Sequence, residues 1–312
     1  MDNNFANDVI NGLTAKEKHL SSKYFYDDTG SHIFQEIMKM PEYYLTDCEY
    51  EILSLQAKQI YDALQFSEPF NIIELGAGDG FKTFKLLEFL QLNKVNFNYM
   101  PIDISQEAID LLNERLQERL PQLSIKPRVG DYFEILGNEK HSKLPSFLLF
   151  LGSNIGNYGS QEAKNLLKLF HQSMNQGDKL LIGFDLKKNP LTIRQAYFDP
   201  HGITKRFNIN LLIRINREFD ADFQIDDFDF YCQYDAITGE VKSYLISLKK
   251  QKVHLKKLDR MIEFEQNELI WTELSKKFDV EEIEELAFET GFSINTHFLD
   301  CKQYFTDSLW EK

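Results

Sequence analysis

Only three cysteines occur in 312 residues, and Cys48, Cys232 and Cys301 stand far apart with no CxxC spacing. That pattern offers neither a disulfide framework nor a metal clasp, so a reduced, cytoplasmic protein without a metal is expected. Long apolar runs are also missing, the longest falling well short of the roughly 20 residues that span a bilayer. The opening MDNNFANDVINGL has no basic segment ahead of an apolar one, so neither secretion nor a membrane anchor is indicated. Basic residues are in deficit, 35 against 49 acidic ones, for a formal charge of −14. Nucleic acid and anionic membranes would repel such a chain, whereas a small ligand responds to local fields. Internal repeats, low-complexity linkers and coiled-coil heptads are absent, and a monomer is the expected state.

What is present is enough for a substantial core: 43% apolar and 13% aromatic residues. The length fits one large domain or two closely joined ones. From residue 71 the pattern becomes regular. NIIELG (71–76), FNYMPIDI (97–104), SIKPRVGDYF (124–133), SFLLFLG (146–152) and DKLLIGFDL (178–186) read as five short strands. Between them, FKTFKLLEFLQL (81–92), QEAIDLLNERLQERL (106–120) and QEAKNLLKLFHQSM (161–174) have helical periodicity, with Ser105 as an N-cap. Strands alternating with helices in this way predict a parallel sheet covered on both faces.

Two regions break the rhythm. Residues 1–60 are helical or irregular and rich in tyrosine. Residues 187–256 begin with a proline-bounded break at KKNP, run helical to about 220, then turn strand-like around a TG hairpin signal. VEEIEELAFETGF (280–292) returns to helix before a strand-like tail. The predicted architecture is α/β, a Rossmann-like parallel sheet with an N-terminal lobe and an inserted α+β domain. Its boundaries fall at 1–60 with 187–276, and at 61–186 with 277–312.

The chemistry begins at ELGAGDG (74–80), a strand running into Gly76, Gly78 and Gly80 and then a helix. Glycines there let the backbone turn sharply and approach a ligand closely. Asp103 ends the next strand, in register to accept hydrogen bonds from ribose hydroxyls. The spacing is GxGxG after an acid, Glu74, rather than the GxGxxG that seats a pyrophosphate on a helix N-terminus. It is the pattern of S-adenosylmethionine-dependent methyltransferases, whose cofactor has no phosphate. In VGDYF (129–133), Asp131 could take the adenine amino group and Tyr132 flank the ring, although Asp131 by itself serves equally as a helix cap. The fourth strand ends in GSNIGN (152–157), at the place where open α/β sheets bind ligands. Asn154 and Asn157 are candidates for orienting a methyl acceptor there, and a tight turn capping the next helix is the plainer alternative. The NPPY-like ending common in nucleic-acid N-methyltransferases is missing at that point.

Beyond these motifs, KYFYDDTGSHIF (23–34), MPEYYLTDCEYEIL (40–53), ELGAGDGFKT (74–83), FLGSNIGN (150–157), IGFDLKK (182–188), AYFDPHGITKRFNINLLIRINREFDADF (196–223) and TELSKKF (272–278) cover nearly the whole chain. On these stretches the sequence resembles the histidine Nα-methyltransferases of ergothioneine biosynthesis. The resemblance implies an enzyme that transfers methyl groups from S-adenosyl-L-methionine to the α-amino group of L-histidine, up to the trimethyl betaine. It implies contacts to the cofactor from Tyr26, Glu74, Gly76, Gly78, Lys82, Asp103, Asp131 and Tyr132. Asn157 and Tyr197 would hold the amino and carboxylate ends of the substrate, and Tyr26 and Asn157 would serve the transfer itself. Phe34 and Tyr43 would line the acceptor cavity, with Gly152 and Thr204 nearby, and Glu273 and Ser275 would bond the two imidazole nitrogens. Two side chains two residues apart on an extended segment do project to one side. One departure stands out. Ser243 falls where the histidine enzymes typically place methionine against the substrate ring, and a different amino acid or small amine is the alternative acceptor.

Overall fold

The structure, a computed structural model, describes residues 3–67, 69–132, 135–136 and 143–312. Phe133, which closes the predicted third strand, lies outside the described residues. Numbered in chain order, the strands begin with β1 (Phe70–Leu75), β2 (Phe97–Asp103), β3 (Ser124–Ile125), β4 (Arg128–Val129), β5 (Ser146–Phe150) and β6 (Lys179–Asp185). They continue with β7 (Phe228–Tyr234), β8 (Glu240–Ser247), β9 (Gln251–Leu255), β10 (Arg260–Phe264), β11 (Leu269–Lys276), β12 (Ser293–Leu299) and β13 (Phe305–Glu311). The chain forms two compact units. One holds the described residues up to Tyr43 together with Lys188–Ser275, the other Tyr44–Lys187 with Lys276–Lys312.

The second unit is built on an eight-stranded sheet of order β12-β13-β6-β5-β1-β2-β3, with β4 also paired to β2. Strands β2, β1, β5 and β6 run parallel. Every residue of β5 and β6 is buried, as expected of central strands covered on both faces. β13 is antiparallel to both β6 and β12 and closes that end of the sheet. This is the Rossmann-like class I methyltransferase arrangement. Strand order reverses at β1, which has β2 on one side and β5 on the other, so the ends of β1 and β5 flank the topological switch point.

Local chemistry explains the helices beside it. Ser105 caps the helix Gln106–Arg119 by accepting from the Ala108 amide at 3.2 Å. Asp279 and Glu282 form a capping box on Val280–Thr290. The predicted third strand is only two short pairings with β2, before and after Pro127. Proline has no N–H to give the ladder, which confines this segment to an interrupted edge. The helices Tyr44–Leu55, grouped by sequence with the N-terminal lobe, and Ala57–Leu64, cut by the expected boundary at residue 60, belong to this unit, the first packing against β13 and against the helix Phe84–Leu92.

The first unit carries the sheet β11-β8-β7 and the hairpin β9–β10. Its β7–β8 turn is held by Asp235, whose Oδ1 accepts from the amides of Ile237 and Thr238, and by Gly239 at φ 75°. The helix Ile203–Phe219 buries Phe207, Leu211, Leu212, Ile215 and Phe219 in a core shared with Phe5, Phe25, Leu245 and Ile270. Each such side chain stabilises the unit by roughly 1.5–3 kcal/mol on burial. Among the described residues no helix is long and apolar enough to cross a membrane.

Candidate active site

At the end of β1 the backbone enters the left-handed region at Gly76, Gly78 and Gly80, with φ of 70°, 55° and 66°. A Cβ at Gly78 would meet no atom within 4 Å, so this turn opens onto space that a ligand could fill. The turn is anchored to β2: the amides of Gly76 and Ala77 donate to the Ile102 carbonyl at 2.8 and 3.2 Å. Asp103 completes the anchorage. Its Oδ2 accepts from the Gly78 amide at 2.8 Å and its Oδ1 from the Ser105 amide at 2.9 Å. Burial raises its pKa, while the amides of Ser105, Gly78 and Ile104 pull it back. Each carboxylate oxygen keeps a second lone pair, the capacity that a ribose diol would use. A cradle without side chains beside a hydrogen-bonding carboxylate fits an adenosine moiety.

Glu74, the acid before the glycine turn, is held from two sides. It is 3% exposed, and its two oxygens accept from the hydroxyls of Thr83 and Tyr99. The side chain thereby ties the end of β1 to β2 and to the segment after the glycine turn. Burial pushes its pKa up to about 7, against the pull of Thr83, Tyr99 and Lys82.

Tyr132 packs edge-on against Phe150 and Phe170, with centroids 6.0 and 6.5 Å away, and its hydroxyl bonds to that of Tyr158. Burial, then Tyr158, drives the Tyr132 pKa far upward, so the phenol stays protonated. Asp131 is exposed beside it, its carbonyl accepting from the Ile135 amide at 3.1 Å.

The polar ending of β5 is a strained turn followed by one tight helical turn. Gly152 and Ser153 both have positive φ, 76° and 55°, and Asn154–Asn157 form a 3-10 helix. Ser153 is tied down by accepting from the Asp185 amide at 3.0 Å. The Asn154 amide nitrogen lies 3.4 Å from where a Gly76 Cβ would stand, and Lys82 Nζ lies 3.3 Å from that of Gly152. The turns after β1 and β5 therefore meet, bringing Gly76, Lys82, Gly152 and Asn154 together. Asn157 ends the 3-10 helix, half-buried.

The other expected residues lie in the first unit. Tyr26 follows the short helix Ser22–Phe25, and its ring stands 5.5 Å from Phe34 and 5.7 Å from Phe207. Phe34 contacts Tyr43 at 6.3 Å, and Tyr43 contacts Tyr197 at 6.2 Å. The run ends where the Tyr197 hydroxyl meets Ser275 Oγ at 2.9 Å. Ser275 and Glu273 occupy alternate positions of β11, and the Glu273 carbonyl accepts from Trp271 Nε1. Thr204 is buried in the first turn of its helix, where Asp199 Oδ1 takes its amide at 2.8 Å. Ser243 is 1% exposed; its carbonyl accepts from the Thr272 hydroxyl at 3.0 Å, and its own Oγ has no hydrogen-bond partner among the described residues.

Some residues escaped the sequence reading. Tyr44 donates to both oxygens of Asp185, which also pairs with Lys277 Nζ at 2.8 Å in full burial. Glu49 takes Lys82 and the Gly152 amide. Glu49 does leave a signal: it shares the apolar stripe of its helix with Leu45, Ile52 and Leu53, where a charge is out of place.

The profile of the family described as histidine-specific, S-adenosylmethionine-dependent methyltransferases matches residues 5–312. The chain belongs to this family. It is an S-adenosylmethionine-dependent methyltransferase. It is similar to a histidine N-alpha-methyltransferase of Mycobacterium tuberculosis, 33% identical over 87% of this chain and 83% of that one. The corresponding protein of Mycolicibacterium smegmatis is 32% identical over 91% and 87%. An L-tryptophan methyltransferase of Psilocybe serbica is 27% identical over 96% and 91%.

Proposed function

We propose that this family member methylates the α-amino group of L-histidine, through up to three transfers, to the trimethyl betaine. The cofactor supplies an electrophilic methyl group on a sulfonium, so the protein's main task is alignment. On this reading the second unit is the methyltransferase domain. Asp103 takes the ribose, Asp131 and Tyr132 the adenine, and Gly76, Gly78 and Lys82 shape the remainder. The first unit binds the amino acid. Glu273 and Ser275 bond the imidazole nitrogens, Tyr197 holds the head group, and Phe34 and Tyr43 form apolar walls. Tyr26 orients the nitrogen lone pair, and the proton released at each transfer passes to water or a carboxylate. An aromatic lining tolerates the growing cation.

The observation that carries the amino-acid half is the aromatic run from Tyr26 to Tyr197 that ends on the paired hydroxyls of Tyr197 and Ser275. Apolar walls closed by a few convergent polar groups suit a small zwitterion with a flat side chain. Purified protein incubated with labelled cofactor and each of the twenty amino acids tests the reading, and histidine is expected to be the preferred acceptor.

A second reading, another amino acid or amine, is favoured by the buried Ser243 hydroxyl, a polar group where the family pattern has methionine. The relative named for tryptophan supports variation of the acceptor within this sequence space. The remainder of the proposal is a cytoplasmic monomer acting on a small molecule, with no nucleic-acid or membrane partner. Its support is the −14 charge and the lack of any disulfide among the three cysteines. Sedimentation equilibrium tests the monomer.

A further inference from the structure

At the meeting turns of the second unit lie two buried carboxyl groups, Glu49 and Asp307, that the proposed chemistry leaves unused. Glu49, on the helix Tyr44–Leu55, is wholly buried. Its Oε1 accepts from the Gly152 amide at 2.6 Å, and its Oε2 is ion-paired with Lys82 Nζ. One carboxylate thus holds the turn after β5 and the segment after β1 at once. Room for it comes from Gly183 in β6, where a Cβ would overlap Oε1 and approach the Phe305 ring to 3.0 Å.

Directly across the β6–β13 pairing from Gly183 stands Asp307, also fully buried, and neither of its oxygens has a hydrogen-bond partner among the described residues. Two acceptor-only carboxylates cannot bond each other, but an acid and a carboxylate can. Burial first, then Glu49, raises the Asp307 pKa well above the carboxylate range, with Lys82 opposing. That direction favours the protonated form of Asp307, the only form that could donate to Glu49. The charged groups at this level are Glu49, Lys82 and, from β1, Glu74. The sheet neighbours of Asp307, Gly183 on β6 and Phe298 on β12, are uncharged.

We propose that Glu49 is a positioning residue: shared among the Gly152 amide, Lys82 and the Asp307 carboxyl, it fixes the turns after β1 and β5 in the arrangement that receives the cofactor. This rests on the reading that those turns hold S-adenosylmethionine. A buried anion that loses its charge strands Lys82, while an isosteric neutral amide at Asp307 preserves the donor to Glu49.

Binding of S-adenosylhomocysteine, followed by calorimetry from neutral to alkaline pH, separates the outcomes. The wild type should bind and lose affinity on the alkaline side, as Asp307 ionises beside Glu49. Asp307→Asn should lose that alkaline decline. Glu49→Gln, folded by circular dichroism, should bind about tenfold more weakly or worse throughout the range, with Glu49→Asp intermediate. A folded Glu49→Gln that binds like the wild type overturns the proposal. So does an alkaline decline that persists in Asp307→Asn, and this arm decides alone if Glu49→Gln does not fold. A wild type that does not bind S-adenosylhomocysteine would instead overturn the cofactor reading itself, and this inference with it.

Discussion

Tyr197 and Ser275 meet hydroxyl to hydroxyl at 2.9 Å, at the end of the aromatic run of the first unit. A hydroxyl can both donate and accept, so either member of the pair has the chemistry to bond a polar group of a substrate. Two residues assigned to opposite ends of an amino acid are therefore linked in the protein itself. A substrate that bonds both must either replace this contact or extend it.

Glu273 is assigned to the substrate side chain and not to the cofactor. Glu273→Ala should raise the Michaelis constant for histidine by about 10- to 100-fold, the loss of roughly 1.5–3 kcal/mol for a hydrogen bond to a charged group. Affinity for S-adenosylhomocysteine should stay unchanged. Steady-state kinetics and calorimetry on one preparation check both halves.

Asp103 should show the opposite pattern. Asp103→Ala removes the ribose acceptor and also frees the Gly78 and Ser105 amides. Cofactor affinity should fall by roughly 1.5–3 kcal/mol or more. Asp103→Asn keeps one oxygen and should cost less. Calorimetric titration with S-adenosylhomocysteine measures both.

Glu74 links stability to pH. Its folded pKa of about 7 lies above the ordinary 4.5, so the folded state binds the extra proton. The stability this contributes is fully present below pH 4.5 and is lost as pH rises through about 7. Glu74→Gln keeps an acceptor for Thr83 or Tyr99 without the charge. It should flatten that loss, gaining up to about 3 kcal/mol over the wild type above the folded pKa. Urea unfolding at several pH values checks the sign.

Ser243 has a buried hydroxyl that no described residue engages. Ser243→Ala should leave the fold as stable or raise stability by about 1 kcal/mol, since an unmade buried hydrogen bond is removed. The Michaelis constant for the amino acid should rise severalfold if the hydroxyl serves the acceptor. Thermal unfolding and a kinetic comparison across amino acids give the two readouts.

The sheet was legible because helical and extended periodicities alternate cleanly from β1 to β6, and the glycine turn with Asp103 marked its ligand-binding end. The third strand read too long because periodicity ignores that Pro127 cannot donate to a ladder. The boundary near residue 60 differs from the division after Tyr43 because composition does not reveal which sheet the helix Tyr44–Leu55 covers. Glu74 is legible as the acid before the glycine turn, whereas its bonds from Thr83 and Tyr99 are set by the fold. Asp307 sits opposite Gly183 through pairing of segments more than a hundred residues apart, which no local pattern encodes.

The central claim is transfer of methyl groups to the α-nitrogen of histidine. Mass spectrometry of the product, with excess S-adenosylmethionine and histidine, tests it most directly. The predicted result is histidine trimethylated at the α-nitrogen, with mono- and dimethyl forms as intermediates. Unmodified histidine, while another amino acid is methylated by the same preparation, would contradict it.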